Sequence, residues 1–132
     1  MMEIKFKTNT QMDEFISYLM VCRNVLHAMH LKTQGQGSHA THKALNELYD
    51  SLVDHIDSIA EAYIGYYGKL LNLKFETGNE YLNMKPVDYV AEILKHVEQC
   101  KSKYQDNSMI LNEIDNLVKD LSSAHYKLKF LQ

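Results

Sequence analysis

The sequence predicts an all-α protein in which four helices form one domain over residues 1–132. Apolar residues recur at intervals of three and four along four separate segments, which is the period of an amphipathic α-helix. Apolar residues make up 45% of the chain and charged residues 23%, a composition typical of globular proteins. With 132 residues, the chain is long enough to bury a core without disulfides or a structural metal.

Helix A is predicted over about residues 11–32. Thr10, with Asp13 three residues later, forms a capping pattern at its amino end. The apolar face of this helix consists of Met12, Phe15, Ile16, Leu19, Cys22, Val25, Leu26 and Met29.

Helix B follows a short turn that contains Gly35 and Gly37. Ser38 is expected to cap it, because a serine hydroxyl can accept a hydrogen bond from a free backbone N–H group of the first turn. The helical spacing of apolar residues then continues as far as Gly65 and Gly68, so helix B is long.

Helices C and D complete the domain. Helix C is predicted to begin at Pro86, since proline is favoured in the first turn of a helix, and to continue to about Cys100. The residues QDNS at 105–108 predict a turn. Helix D is then predicted over about residues 110–128, nearly to the end of the chain.

The predicted connections differ in length. The A–B and C–D turns are short, whereas about 18 residues separate helices B and C. A bundle with one long crossover has this pattern of connections. We therefore expect the ferritin-like topology rather than a simple up-and-down bundle.

Charge, hydropathy and cysteine content narrow the functional classes. A formal net charge of −3 argues against nucleic acid as a partner. No run approaches the roughly 18 apolar residues that span a bilayer, and the start of the chain lacks the apolar core of a secretion signal. We therefore expect a cytoplasmic protein without a membrane partner, in which Cys22 and Cys100 are free, buried thiols.

Helix B carries four polar residues on one face. His42 and Asn46 are four residues apart, as are Asp57 and Glu61, and all four fall within a sector of about 100°. His42 and Glu61 are nevertheless separated by about 28 Å along the helix, far more than the ~2 Å bonds of a metal site. One chain therefore cannot close a metal site from these residues.

Two chains can bring these residues together. The pair His42 and Glu61 has its midpoint between residues 51 and 52, and so does the pair Asn46 and Asp57. A two-fold axis that crosses helix B at this midpoint would place each residue opposite its counterpart on an antiparallel partner helix. The sequence therefore predicts a two-fold dimer through helix B, with two identical clusters.

His30 is expected to add a second imidazole to each cluster. It lies just before the glycine turn and can fold back beside His42. A site with imidazoles from one subunit and carboxylates from the other suits Fe²⁺ or Zn²⁺ better than Ca²⁺ or Mg²⁺, because imidazole prefers borderline transition metals.

Residues 30–61, HLKTQGQGSHATHKALNELYDSLVDHIDSIAE, resemble the signature of the Dps mini-ferritins. The resemblance consists of His30, Gly35 five residues later, His42 twelve residues after the first histidine, and a D-x-x-A-E motif at residues 57–61. The four-helix arrangement extends the resemblance over nearly the whole chain.

This resemblance implies an iron-oxidising site across a two-fold interface. The implied metal ligands are His30, His42, Asn46, Asp57 and Glu61, with no catalytic residue beyond them. Members of that family form hollow shells of twelve subunits, oxidise Fe(II), commonly with hydrogen peroxide, and store the ferric product. The implied partners are therefore Fe(II), peroxide or oxygen, and further copies of the chain.

Three positions depart from the family's pattern. The usual aspartate is Asn46, the usual tryptophan after the first histidine is Leu31, and the usual aromatic residue near the start of helix B is Ser38. A neutral amide is a weaker metal ligand than a carboxylate, so a second iron is expected to bind less tightly. The alternative function is a non-catalytic ferritin-like structural or interaction protein with a weakened or purely structural metal site.

Three further polar residues, His39, Asp50 and Asp54, lie near the predicted cluster. They offer donors that would compensate for Asn46, or they are solvated or paired on the surface. We expect the second arrangement, and we do not expect His39 to be a ligand.

Overall fold

The computed structural model describes residues 11–131, and within this range it contains four α-helices and no β-strand. The helices are α1 (Gln11–Lys32), α2 (Ser38–Tyr67), α3 (Pro86–Lys101) and α4 (Ser108–Phe130). These bounds confirm the all-α class and the four predicted helices. Thr10, which was expected to cap α1, lies outside the described residues.

The four helices form a bundle around one apolar core. α1 packs against α2 and α3, and α4 packs against α2 and α3. Each helix contributes fully buried side chains, among them Leu19, Leu52, Ile93 and Leu117. Burial of such side chains is the main favourable contribution to folding, at about 1.5–3 kcal/mol each.

The order of the helices around the bundle explains the long crossover. Since α1 and α4 each contact both α2 and α3, the latter two lie on a diagonal of the bundle. A chain that leaves α2 must pass along the outside of the bundle before it can begin α3. Residues 68–85 make this connection, with a short 3₁₀-helix at Asn79–Tyr81.

Polar side chains of α1 attach the crossover to the bundle. Asp13 and Ser17 are buried although both are polar. The backbone N–H of Asn72 donates to Oδ1 of Asp13 at 2.8 Å, and that of Lys74 donates to Oγ of Ser17 at 3.0 Å. These bonds satisfy polar groups that would otherwise be costly to bury.

The helix ends follow the predicted signals with one exception. Pro86 begins α3, and Gly68 ends α2 in the left-handed conformation, with its N–H bonded to the Ile64 carbonyl. Ser38 does not cap α2, contrary to the expectation, because the helix already begins there. Gly37 occupies the capping position with φ 78°, and no side chain caps this end.

None of the described helices is long and apolar enough to cross a membrane.

Candidate metal centre

The turn between α1 and α2 brings His30 and His42 into contact. His30 lies in the last turn of α1, and His42 lies four residues after the first residue of α2. Gly35 and Gly37 both have positive φ, at 93° and 78°, which allows the chain to reverse within a few residues. The two imidazole ring centroids are consequently 3.7 Å apart, as the sequence predicted when it placed His30 beside His42.

A backbone carbonyl orients the ring of His42. Nδ1 of His42 lies 3.3 Å from the carbonyl oxygen of His30. A carbonyl can only accept, so Nδ1 carries the proton and Nε2 of the neutral ring keeps a free lone pair. Histidines that bind metals commonly donate their other ring N–H in this way, which fixes the ring and its tautomer.

His30 is buried, and one of its ring nitrogens has no hydrogen-bond partner in the described part of the chain. The residue is 9% exposed, and its Nδ1 makes no hydrogen bond to any residue in the described range. Burial lowers the pKa of His30, the neighbouring His42 and His27 lower it further, and Asp50 acts in the opposite direction. The ring therefore favours its neutral form, in which a lone pair is available to a metal ion.

An aromatic cluster that the sequence analysis missed surrounds this pair. The ring of His27 is stacked on Tyr49, with centroids 4.4 Å apart and an interplanar angle of 15°. His27 lies 6.0 Å from His30, and Tyr49 meets His30 edge-on at 5.3 Å. His27 could have been noticed from its spacing, because residues three apart share a helix face.

Asn46 lies one helical turn after His42 and is bonded within its own subunit. The hydroxyl of Tyr49 donates to Oδ1 of Asn46 at 2.8 Å. The amide oxygen is the only atom of this side chain that could bind a metal, and one of its lone pairs is therefore engaged. The amide N–H₂ group, a donor only, occupies the other side of the side chain.

Asp57 and Glu61 lie at the far end of the same helix. Both are exposed, and neither forms a salt bridge with another residue of the described range. α2 is helical from Ser38 to Tyr67, so its rise separates Glu61 from His42 by about 28 Å. Within one subunit the two carboxylates and the two histidines are not brought together.

A single subunit offers a partial set of donors. Among residues 11–131, no group of three or more histidine, cysteine, aspartate or glutamate side chains is arranged to hold a metal ion. At the height of the predicted two-fold axis, Leu52 is fully buried in the core, and Ser51 lies beside α4. Asp50 and Val53 are the exposed residues of α2 that flank this height.

The two cysteines are buried and free, as predicted. The Cys22 thiol lies beside the hydroxyls of Tyr18 and Tyr89, and burial raises its pKa to about 11. Burial likewise raises the pKa of the Cys100 thiol to about 12. A thiol that stays protonated is a poor nucleophile and a poor metal ligand, so both cysteines serve the core.

Comparison with known proteins gives a family and a viral relative. An uncharacterized 14.6 kDa protein of the mobD-ri intergenic region of Enterobacteria phage T4 is 28% identical over 119 residues, which cover 90% of this chain and 85% of the phage protein. No solved structure matches the chain significantly. The family that matches spans residues 30–128, a range that begins at His30 and includes Asp57 and Glu61. The chain therefore belongs to DUF5856, a family of unknown function.

Proposed function

We propose that this chain is a Dps-like mini-ferritin with a ferritin-like bundle, and that it binds and oxidises Fe(II) between two subunits. The observation that supports this most directly is the pairing of His30 with His42, whose ring centroids are 3.7 Å apart. A carbonyl orients the ring of His42, and a buried nitrogen of His30 has no hydrogen-bond partner among the described residues. Two imidazoles in this arrangement suit a borderline transition metal.

The remaining ligands come from a second copy. An antiparallel partner that crosses α2 between residues 51 and 52 brings Glu61 of the partner subunit opposite His42. The same operation brings Asp57 of the partner subunit opposite Asn46. Each carboxylate is exposed and forms no ion pair with residues 11–131 of its own subunit, which favours its availability to an incoming cation. Carboxylates add the negative charge that the histidine pair lacks.

Fe(II) is the substrate of the proposed reaction and peroxide or oxygen is the oxidant. Reduction of one hydrogen peroxide to two waters takes two electrons, one from each of two Fe(II) ions, and two protons. The residues of this chain bind and orient the ions. By analogy with the family it resembles, we propose a shell of twelve subunits that stores the ferric product.

The position of Asn46 makes the two iron positions unequal. Its amide supplies no charge, and its oxygen already accepts a hydrogen bond from Tyr49. We propose that one iron is held by His30, His42 and Glu61 of the partner subunit, and that the second, near Asn46 and Asp57 of the partner subunit, binds more weakly.

Anaerobic titration with Fe(II), and with Co(II) as a spectroscopic probe, tests the proposal. Wild-type protein should bind at least one ion per subunit and show the d–d absorption of a mixed imidazole and carboxylate site. Glu61→Gln should abolish tight binding, whereas the control Glu98→Gln, at an exposed position of α3, should leave it unchanged. A wild-type protein that binds neither ion, or a Glu61→Gln variant that binds normally, would contradict the proposed site.

The hydrogen bond between Tyr49 and Asn46 also favours a second candidate function. In this case the side chain at position 46 serves a hydrogen bond within its own subunit instead of a metal ion. Such a role fits a ferritin-like structural or interaction protein with a single structural metal. In that case the protein binds Co(II) or Zn(II) but does not accelerate the consumption of peroxide by Fe(II). Stopped-flow measurement of Fe(II) oxidation separates the two functions.

A further inference from the structure

Arg23 is the only arginine of the chain, and no carboxylate among residues 11–131 forms a salt bridge with its guanidinium. It lies on α1 with Cζ 5.9 Å from the centroid of the Tyr49 ring. Its Nε is buried without a hydrogen-bond partner, and no salt bridge joins it to another residue between 11 and 131. A buried N–H of a charged group without an acceptor is costly, so an acceptor from beyond the described residues is expected, and a partner subunit can supply one.

The surface formed by α1 and α2 has opposite character at its two ends. One end carries His30, His39 and His42 around the α1–α2 turn. Arg23 lies nearer the middle of this surface, beside Tyr49 and in a pocket that Val53 and Asp57 also line. The other half of α2 carries exposed carboxylates, Asp54, Asp57 and Glu61. An interface between two identical surfaces must be complementary to itself, and an antiparallel two-fold pairing meets this condition because it places the acidic end of each copy on the histidine end of the other.

We propose that Arg23 forms an ion pair with Asp54 of the partner subunit across this two-fold axis, and that the pair sets the register of the two copies of α2. The inference rests on the proposed function, because it uses the same axis. An axis midway between residues 51 and 52 relates position 49 to position 54 of the partner. Asp54 of the partner subunit therefore lies opposite Tyr49, over which the Arg23 guanidinium lies.

Asp50 is the other carboxylate near the axis, and the axis places it elsewhere. An axis midway between residues 51 and 52 relates position 50 to position 53 of the partner, so Asp50 lies opposite Val53 of the partner subunit and not opposite Tyr49. Asp54 lies about one turn further along α2 and is exposed. Arginine suits this pairing because its planar guanidinium can donate two parallel hydrogen bonds to one carboxylate.

Charge reversal in the full-length protein tests the pair. Asp54→Arg should lower the association constant at least about tenfold, since like charges would then face each other twice per dimer. Arg23→Glu should do the same, and the double variant should return to within about threefold of wild type. Sedimentation measures association, and circular dichroism checks the fold of each variant. Because Asp54 is exposed, its reversal reports on association even if Arg23→Glu fails to fold.

Cross-linking through a cysteine at position 53 tests the position of the two-fold axis without changing any charge. Val53 is 40% exposed and flanks the proposed axis, so two copies of Val53→Cys should form an intersubunit disulfide, whereas the buried Cys22 and Cys100 should not. Lys119→Glu and Asp106→Arg, both at exposed positions away from this surface, are the matched charge controls.

The outcomes separate this inference from the proposed function. If Val53→Cys cross-links but reversal at Asp54 changes association no more than the controls do, the ion pair is wrong and the proposed interface stands. Rescue of Arg23→Glu by Asp50→Arg instead of Asp54→Arg would also overturn the pair. If Val53→Cys does not cross-link and the wild-type protein is monomeric, the two-fold interface and the ion pair are both wrong.

Discussion

The hydroxyl of Tyr49 donates a hydrogen bond to Oδ1 of Asn46 at 2.8 Å, and this bond orients the amide at the proposed second iron position. The amide oxygen faces Tyr49, and the N–H₂ group is the other polar group of the side chain. Such a group can donate to a carboxylate but cannot bind a cation. Asn46 is therefore a weaker metal ligand than a carboxylate would be at this position, which agrees with weaker binding of the proposed second iron.

Asn46→Asp should raise the number of Fe(II) or Co(II) ions bound per subunit and the rate of Fe(II) oxidation. A carboxylate adds a negative charge and a better ligand, and the Tyr49 hydroxyl is already placed to donate to it. Metal analysis and stopped-flow absorbance measure the two effects. Asn112→Asp, at an exposed position of α4, is the control. An unchanged stoichiometry would mean that another residue already supplies the missing ligand.

Gly78→Ala should lower the free energy of unfolding by about 2–4 kcal/mol. Gly78 has φ 73°, and a Cβ there would lie 2.6 Å from Cγ1 of Val21 and 2.9 Å from Cγ2 of Val25. Both neighbours are stiff, β-branched side chains. Gly65→Ala is the matched control, because Gly65 lies within α2 with open space around it. This substitution should stabilise the protein by up to about 1 kcal/mol, because alanine favours the helix more than glycine does. Urea denaturation measures both, and equal effects would contradict the close approach of the crossover to α1.

Asp120→Ala should destabilise the protein more than Glu47→Ala, although both residues join α4 to α2. Nε2 of His55 donates to Asp120 at 2.6 Å, and the His55 side chain is only 14% exposed. Loss of its acceptor should cost about 1 kcal/mol. The pair of Glu47 with Lys127 is exposed on both sides and should contribute less than about 0.5 kcal/mol. Thermal unfolding at low and high salt compares them, and a larger loss for Glu47→Ala would refute this ranking.

Stability should fall as the pH rises from about 9 to about 11. Burial raises the pKa of the Cys22 thiol to about 11, whereas the thiol of an unfolded chain has its ordinary pKa near 9. In this window the unfolded state releases a proton that the folded state retains, so the free energy of unfolding decreases with pH. Burial raises the pKa of Tyr89 as well, which acts in the same direction at higher pH.

Reaction with Ellman's reagent measures directly whether the two thiols are buried and protonated in the folded protein. At pH 8 the folded protein should react much more slowly than the protein in urea, because Cys22 and Cys100 are both buried and protonated. A Cys22→Ala variant should show a shallower loss of stability above pH 9 than wild type. Rapid labelling of the native protein, or identical pH profiles, would show that the thiol is not shielded.

The helices could be predicted because each is encoded locally. The spacing of apolar residues, the glycines of the first turn and Pro86 placed all four helices close to their observed bounds. The contact of His30 with His42 was predictable for the same reason, since a short turn must bring its two flanking helix ends together. Ser38 shows the limit of local signals, because Gly37 takes the capping position instead.

The neighbours across helices depended on packing, which no local pattern encodes. The sequence does not show which side chains of other helices contact Tyr49. The packing of α1 on α2 brings His27 and Arg23 to its ring, while its hydroxyl donates to Asn46 of its own helix. The pairing of His55 with Asp120 likewise joins residues 65 positions apart. Periodicity along the chain specifies which face of a helix is apolar, whereas the tertiary structure decides which side chains of different helices share that buried space.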